Sequence, residues 1–155
     1  MLWNHILLAY DNSQQALRAV EYVGQMFGRL DNVKVVLFGV YDKLPDHDMI
    51  DTPFTDQVRA RISVMERDRE KGRTHLEEAR KHLIRMGYSE DQVKIKYVEK
   101  KKSVAKDIID EVNAGGYGTV VLGRKGLSNL KGMLFGSVSS GVIGNLVGAT
   151  ICVVE

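Results

Sequence analysis

Cysteine, proline and long apolar runs are all scarce in this sequence. Among 155 residues there are one cysteine and two prolines, and a single thiol, Cys152, excludes an intrachain disulfide scaffold. No apolar run approaches the roughly 18 residues that a membrane helix needs, and no N-terminal signal pattern is present. The net charge of +2 at pH 7 is too near neutral to indicate nucleic-acid binding. We therefore expect a cytoplasmic protein that binds neither nucleic acid nor a membrane.

The motifs of three familiar enzyme classes are absent as well. Without Gly-x-x-x-x-Gly-Lys-Ser/Thr a P-loop NTPase is not indicated. A dinucleotide fingerprint would place glycines after the first strand, where this chain has Asp11-Asn12-Ser13. The Gly-x-Ser-x-Gly elbow of serine hydrolases does not occur. Asp46-His47-Asp48 and Asp51 lie near both prolines, and we expect them to be solvated, because metal ligands need a fixed scaffold. We predict no metal site formed by protein residues alone.

Apolar patterning divides the chain into alternating strands and helices. Short runs rich in Val, Ile and Leu that are apolar on both faces are typical of buried parallel strands. Apolar residues in steps of three and four indicate helices. The predicted strands are 5–10, 33–41, 93–98, 119–122 and 149–154, and the helical patterns between them are 16–27, 58–86, 104–112 and 138–147. This alternation predicts one α/β domain, residues 1–155, with a doubly wound parallel sheet and helices on both faces.

Charged residues mark the periphery of this predicted fold. The apolar stripe of the long helix is interrupted at Arg69 and Gly72, which favours an exposed amphipathic helix over a coiled coil. Lysines alternate with apolar residues in strand 93–98, a pattern typical of a sheet edge. The run Lys100-Lys101-Lys102 follows this strand, and we interpret it as a solvated helix entrance.

A glycine-marked loop after the fourth strand is the most informative feature of the chain. Gly123-Arg124-Lys125-Gly126 follows the apolar run, and after nine residues Gly136-Ser137-Val138-Ser139 precedes a helical segment. Helix N-termini present unpaired N–H groups, and glycine lets backbone approach an anion closely. Lys125 and Lys131 add positive charge nearby. The loop therefore predicts a phosphate-binding cradle.

These residues resemble the universal stress protein family, and the likeness covers essentially the whole chain. The ATP-binding branch of that family carries Gly, two residues, Gly, nine residues, Gly, then Ser or Thr, and residues 123–137 match this spacing without a gap. The first-strand signature, apolar residues leading to Asp-x-Ser, is matched by residues 6–13. A valine that ends the second strand is matched by Val40.

The resemblance implies an architecture. It implies the strand order 3-2-1-4-5 in a Rossmann-like sheet of the adenine nucleotide alpha hydrolase type. It also implies a homodimer that pairs through the last strand, Ile151 to Val154. Family members often carry a proline in that strand where this chain has Ile151-Cys152-Val153, so the dimer geometry is the part of the resemblance in which this chain departs from the family.

The resemblance also implies the ligand and its contacts. The ligand would be ATP, with Mg²⁺ bridging the phosphates. The residues around the adenosine would be Ala9, Asp11, Val40 and Leu122. The residues around the ribose and phosphates would be Gly123, Lys125, Gly126, Gly136, Ser137, Val138 and Ser139.

Simpler interpretations of the same residues stay open at this point. Asp11 and Ser13 could cap a helix, Ser137 could be only an N-cap, and the glycines could be turn residues. The function that we expect is nucleotide-dependent sensing or signalling in a stress response. One alternative is a slow ATPase, or a phosphotransferase that modifies itself at Ser137 or Ser139. Another is a dimer that recruits partners without nucleotide.

Overall fold

The computed structural model describes residues 2–45, 55–127, 132 and 134–155. Within them, five strands alternate with four helices, as the sequence predicts. In chain order the elements are β1 Leu2–Ala9, α1 Gln14–Phe27, β2 Lys34–Tyr41, α2 Thr55–Arg85, β3 Val93–Glu99, α3 Val104–Gly115, β4 Tyr117–Gly123, α4 Ser137–Asn145 and β5 Thr150–Val154.

The five strands form one parallel sheet in the order β3-β2-β1-β4-β5. Leu7, in the central strand, pairs with Val36 of β2 and Val120 of β4. The predicted order is therefore confirmed, and so is the prediction that the lysine-bearing strand β3 lies at an edge. Strand order reverses between β1 and β4, and at such a reversal the loops on either side diverge and leave a crevice beyond the carboxyl ends of the strands.

The observed bounds of two elements differ from the predicted ones, and at the start of β1 the added residues pair through their backbone while their side chains stay exposed. β1 begins at Leu2 rather than at residue 5, because Leu2 pairs with Tyr117 and its N–H donates to Gly116 O at 3.1 Å. Leu2 and Trp3 are exposed, so apolar patterning gave no signal for this extension. α4 occupies Ser137–Asn145 instead of residues 138–147.

Apolar side chains on the two faces of the sheet form two separate cores. Ile6 and Leu8 pack with α1 and α2, whereas Leu7 packs with α3 and α4. Alternation within β1 thus supplies both cores, since successive side chains of a strand point to opposite faces. Two of the helices on these cores begin at serine N-caps, Ser13 and Ser103, whose side chains accept from the N–H groups of Ala16 and Lys106.

Helix α2 is anchored by its C-terminal half. Its buried residues there are Leu76, Ala79 and Leu83. Arg69, the charged interruption of the apolar stripe, lies with its guanidinium 4.3 Å from the centre of the Tyr41 ring, a cation–π contact that accounts for a charge at an inward position. In the part of the chain that the structure describes, no helix is long and apolar enough to cross a membrane.

We predict that Leu83→Ala lowers the free energy of unfolding by about 2–5 kcal/mol, because it leaves a cavity in a packed core. Leu83 is 0% exposed. The matched control on the same helix is Val64→Ala, since Val64 is 53% exposed and its truncation should change stability by less than about 0.5 kcal/mol. Urea unfolding measures both values. Equal effects of the two substitutions would contradict the assigned packing of α2.

Candidate functional site

The carboxyl ends of β1 and β4 meet at the point where the strand order reverses. Leu8 of β1 pairs with Val121 of β4, so the segments that follow these strands emerge side by side. The first segment begins with Tyr10 and Asp11, and the second is the glycine loop that starts at Gly123. The two features that the sequence singled out therefore face one crevice.

Asp11 joins the end of β1 to the glycine loop. Its Oδ1 accepts from Ser13 N at 3.0 Å, and its Oδ2 accepts from Leu127 N at 3.3 Å. A Cβ atom placed on Gly126 would lie 2.5 Å from Asp11 Oδ2, closer than real Cβ contacts allow. A larger residue at 126 would therefore have to displace the Asp11 carboxylate, whether or not a ligand is present.

Arg124 fastens the loop to two further elements through its backbone. Its N–H donates to Val154 O at 2.7 Å, and its carbonyl accepts from Gly136 N at 2.9 Å and from the Ser139 hydroxyl at 2.6 Å. Its guanidinium pairs with the carboxylate of Glu155. The loop is thus tied to the end of β5 and to the start of α4. This role of Arg124 was not predictable from the residue pattern, because backbone groups make most of the contacts.

Gln15, on the first turn of α1, supports the loop from the other side. Its side-chain oxygen accepts from Lys125 N. A Cβ atom on Gly123 would lie 2.9 Å from Gln15 Cβ, so the loop leaves β4 in direct contact with α1. Gln15 was not among the predicted residues, and nothing in local sequence patterning distinguishes it from an ordinary polar helix residue.

The N-terminus of α4 opens towards the same crevice. Its N-cap is Gly136, and no side chain of the described residues caps this helix. The amide of Ser140 donates to Gly136 O at 2.9 Å, which leaves the preceding amides of the first turn, at Ser137, Val138 and Ser139, without intrahelical acceptors. Ser137 is therefore the first helical residue and not the cap that the simpler interpretation offered.

Gly136 holds the start of α4 against the glycine loop. A Cβ atom on Gly136 would lie 3.2 Å from Lys125 Cα, so a larger residue would push the helix and the loop apart. The Ser139 side chain reinforces the same junction. It is buried and its hydroxyl also contacts Gly136 O at 3.1 Å.

A cavity of about 470 Å³ lies among these elements, within the range of about 300–1,000 Å³ typical of small-molecule sites. Ten of the eleven predicted site residues line it, and the eleventh, Gly136, is the N-cap that precedes the lining residue Ser137. The lining residues that the sequence did not single out as site residues are Tyr10, Ser13, Ala16, Phe38, Tyr41, Asp42, Lys100, Val104, Ile108 and Leu127. The apolar face of α3 was visible in its periodicity, but only the fold directs Val104 and Ile108 into this cavity.

One residue of the run Lys100-Lys101-Lys102 also reaches the cavity. Lys100 lines the cavity together with Asp42, and Lys102 pairs with Asp110 at 2.9 Å on the outer surface. Lys100, Lys101 and Lys102 are all exposed, as the interpretation of the run as solvated surface predicts. The sequence pattern did not indicate that Lys100 lines the cavity, because Lys100 follows β3 and is far from the glycine loop in the chain.

The cavity extends across β1 from β4 to β2. Ser137, Lys125 and Gly126 line the end beyond β4, whereas Val40 lines the end at β2, where Asp42 follows it. The pKa of Tyr10, which precedes Asp11, is raised to about 12. The main cause is desolvation of the phenol by burial, and the carboxylates of Glu78 and Asp11 add to it. The Tyr10 phenol therefore stays protonated at neutral pH, and it donates to Asn12 Oδ1 at 3.0 Å.

The capping interpretation is now decided for Ser13. Ser13 does cap α1, because its hydroxyl oxygen accepts from Ala16 N at 3.1 Å. Lys131, expected near the phosphates, lies outside the described residues, as do Asp46-His47-Asp48 and Asp51. Among the described residues, no three His, Cys, Asp or Glu side chains are placed to hold a metal ion.

The fold agrees with one protein family. A model of the Universal stress protein family matches residues 3–147. This chain belongs to the universal stress protein family. No curated protein matches this universal stress protein in sequence.

Solved structures show the same fold. The hypothetical protein MJ0577 aligns with a TM-score of 0.73 at 24% identity, over 99% of this chain and 96% of that chain. Universal stress protein UspA from Lactobacillus plantarum aligns with a TM-score of 0.77 at 17% identity, over 100% and 99% of the two chains. The universal stress protein from Archaeoglobus fulgidus in complex with dAMP aligns with a TM-score of 0.61 at 17% identity, over 100% of both chains. Other universal stress proteins of this fold are complexes with cAMP and with AMP.

We predict that Gly126→Ala destabilises the protein by about 1–3 kcal/mol, because the new methyl group displaces the Asp11 carboxylate from Leu127 N. The control is Gly144→Ala on α4, where a Cβ atom would meet nothing within 4 Å. That change should stabilise by about 0.5–1 kcal/mol, as alanine is favoured over glycine in helices. Urea unfolding compares the two variants. A stabilising Gly126→Ala would show that Asp11 does not hold the loop.

Proposed function

We propose that this protein binds an adenine nucleotide in the cavity beside Asp11 and uses it for sensing or signalling in a stress response. One observation carries the proposal. The uncapped N-terminus of α4 and an apolar recess open into a single cavity of about 470 Å³. Free N–H groups at a helix N-terminus suit phosphate, and an apolar recess suits a purine ring. We place this role in the cytoplasm, where such nucleotides are available.

The proposed pose follows from the two ends of the cavity. The amides and hydroxyls at Ser137, Val138 and Ser139, with Gly126, Gly136 and Lys125, would hold the phosphates. Asp11, between the two ends, would accept from ribose hydroxyls. The remaining predicted residues, Ala9, Val40, Leu122 and Gly123, would surround the base and sugar.

ATP with Mg²⁺ is the specific ligand that we propose. The dAMP, cAMP and AMP complexes of other family members support adenine as the base. The glycine spacing of residues 123–137 supports a longer phosphate chain by its resemblance to the ATP-binding branch. Mg²⁺ usually keeps several waters and binds through substrate phosphates with one or two carboxylates. Asp11 is a carboxylate of the cavity wall that adjoins the glycine loop, so the site suits an ion held mainly by the phosphates.

Slow phosphoryl transfer to the protein itself is the second candidate function. Its two proposed acceptors, Ser137 and Ser139, differ in how accessible their hydroxyl groups are. Ser139 is 2% exposed and its hydroxyl donates to Arg124 O, so modification there would break the junction between the loop and α4. Ser137 is exposed at the cavity wall. Incubation with ATP and Mg²⁺ followed by intact-mass analysis tests this candidate. A mass increase that Ser137→Ala abolishes would support it.

We predict saturable binding of ATP at about one site per chain, and at least tenfold weaker binding by Gly136→Val. The valine side chain would separate the α4 amides from the loop around Lys125. The phosphates would then lose about two charge-assisted hydrogen bonds, which is enough to weaken the affinity more than tenfold. Calorimetric titration of nucleotide-free protein measures both affinities. Mass spectrometry of material released from freshly purified, denatured protein identifies any nucleotide that is already bound.

The control for this experiment is Gly144→Ala, which lies in the same helix with open space around it and should bind like the wild type. The far-UV circular dichroism of Gly136→Val should stay close to that of the wild type. No released nucleotide and no binding by the wild type would contradict the proposed function and would favour the partner-recruiting alternative. Unchanged binding by Gly136→Val would contradict the placement of the phosphates.

A homodimer through β5 is the assembly that we propose. The two edges of the sheet differ in charge. β3 carries Lys94, Lys96 and Glu99, whereas β5 has the uncharged sequence Thr-Ile-Cys-Val-Val with half-buried side chains from Ile151 to Val154. Charged side chains discourage pairing at an edge strand, and an uncharged apolar edge favours it. β5 is therefore the edge suited to a second copy of this chain.

We predict that Val153→Lys converts this dimer to a monomer, because it introduces a buried ammonium into a strand edge. Sedimentation velocity at tens of micromolar should give twice the mass of one chain for the wild type and the mass of one chain for the variant. Val147→Lys is the control, as Val147 is 85% exposed and precedes the strand. A monomeric wild type, or a dimeric Val153→Lys, would contradict pairing through β5.

A further inference from the structure

Strand β3 is an outer strand of the sheet, and half of its backbone groups point away from β2. Val35 N donates to Gln92 O and Lys100 N donates to Tyr41 O, at 2.8 Å in both cases. In a parallel strand the N–H and C=O groups of one residue point to the same side, and the side alternates along the strand. The even-numbered residues of β3 therefore bond to β2, and the odd-numbered residues present their N–H and C=O groups at the outer edge.

The first of these outward groups is occupied and the following ones are not. Val93 O accepts from Arg80 Nε at 2.9 Å, and the same guanidinium also bonds to the turn before β3. No residue that the structure describes bonds to the outward backbone groups between Ile95 and Glu99. Unpaired backbone groups of this kind are a template for another extended chain. The open edge therefore runs from Ile95 to Glu99.

The side chains beside this edge carry positive charge. Val93 and Ile95 pack into the core under α2, so Lys94 and Lys96 lie on the opposite face of the strand. Both lysines are exposed. Lys96 pairs with Glu111 of α3, whereas Lys94 forms no ion pair with any described residue. The charge of Lys94 is thus available to a partner.

Lys34 of β2 adds to the positive charge near Lys94. The pKa of His5, in the next strand, is lowered by desolvation first and then by the charges of Lys34 and Lys94, so both ammonium groups act on one ring. The pKa of the exposed Asp91 is lowered mainly by the hydrogen bond from Ser89, and the same two lysines lower it further. Like charges oppose the pairing of β3 with β3 of a second copy, whereas acidic side chains complement this surface.

We propose that the outer edge of β3 from Ile95 to Glu99 is a docking site for an acidic, extended segment of a partner protein, which adds a strand to the sheet. The backbone of the segment bonds to the free N–H and C=O groups of the edge, and its carboxylates lie on one face beside Lys94 and Lys96. β5 is at the opposite edge of the sheet. Docking at β3 therefore leaves the proposed dimer strand free.

The first test varies the peptide and leaves the protein unaltered. The probe is a fluorescently labelled peptide of about ten residues in which glutamate alternates with threonine, so that all carboxylates lie on one face of a strand. Its counterpart carries lysine in place of glutamate. By fluorescence anisotropy we expect saturable binding of the glutamate peptide, at least about tenfold tighter than that of the lysine peptide and weaker at higher ionic strength, because salt screens the attraction.

The location of the peptide is measured on ¹⁵N-labelled protein. The outward amides of Ile95, Tyr97 and Glu99 should show the largest chemical-shift changes, because they would gain hydrogen bonds. No saturable binding of the glutamate peptide, equal binding of the two peptides, or shifts confined to other surfaces would overturn the proposal. These results require no variant to fold.

The second test reverses the charge beside the edge. Lys94→Glu should weaken binding of the glutamate peptide at least about tenfold, because it replaces attraction by repulsion. The matched control is Lys81→Glu, the same change at an exposed residue of α2, which should bind like the wild type. Equal affinities of these two variants would contradict the assigned role of Lys94.

The third test distinguishes strand addition from attraction between charges alone. Glu99→Pro removes an outward N–H without removing a bond to β2, since proline is tolerated where the N–H of an edge strand faces solvent. Glu99→Ala removes the same side-chain charge and keeps the N–H. We expect Glu99→Pro to bind the glutamate peptide at least about fivefold more weakly than Glu99→Ala, the scale of one hydrogen bond. Equal binding by the two variants would contradict strand addition.

Discussion

The segment after β1, the glycine loop and the start of α4 approach one another closely at the carboxyl edge of the sheet, because glycine occupies the points of contact. Gly126 makes room for the Asp11 carboxylate, and Gly136 brings the start of α4 within reach of the loop around Lys125. The backbone of Arg124 then joins loop, helix and β5 through three hydrogen bonds. Without these approaches the free amides of α4 would not face the same cavity as Asp11. The geometry of the candidate site thus depends on packing within the protein before any ligand contributes.

The same junction connects the candidate site to the edge of the sheet. Arg124 N bonds to Val154 O, and the Arg124 guanidinium pairs with Glu155. Arg18 of α1 also donates to Glu155 O at 3.2 Å. The strand that we propose as the dimer interface therefore shares hydrogen bonds with the loop that we propose as the phosphate site.

The fold was predictable because its signals are local and repeated. Alternating apolar runs and helical stripes specified the number and order of the elements, and the family resemblance specified the strand order. The glycine loop was predictable because glycine spacing is visible in the sequence. The contribution of Gln15 was not predictable, because it accepts from Lys125 N, which is far away in the chain, and only the strand order brings the two together. The early start of β1 was missed because Leu2 and Trp3 are paired but exposed.

The central claim is that nucleotide phosphates bind at the N-terminus of α4 while the base lies towards β2. Amide chemical shifts of ¹⁵N-labelled protein during titration with ATP test it most directly, since each backbone N–H reports on its own surroundings. The account predicts that the largest shifts fall on Gly126 and on Ser137 to Ser139, with smaller ones at Val40 and Lys100, and that all saturate together. Saturable shifts confined to other surfaces, with these amides unmoved, would contradict the account.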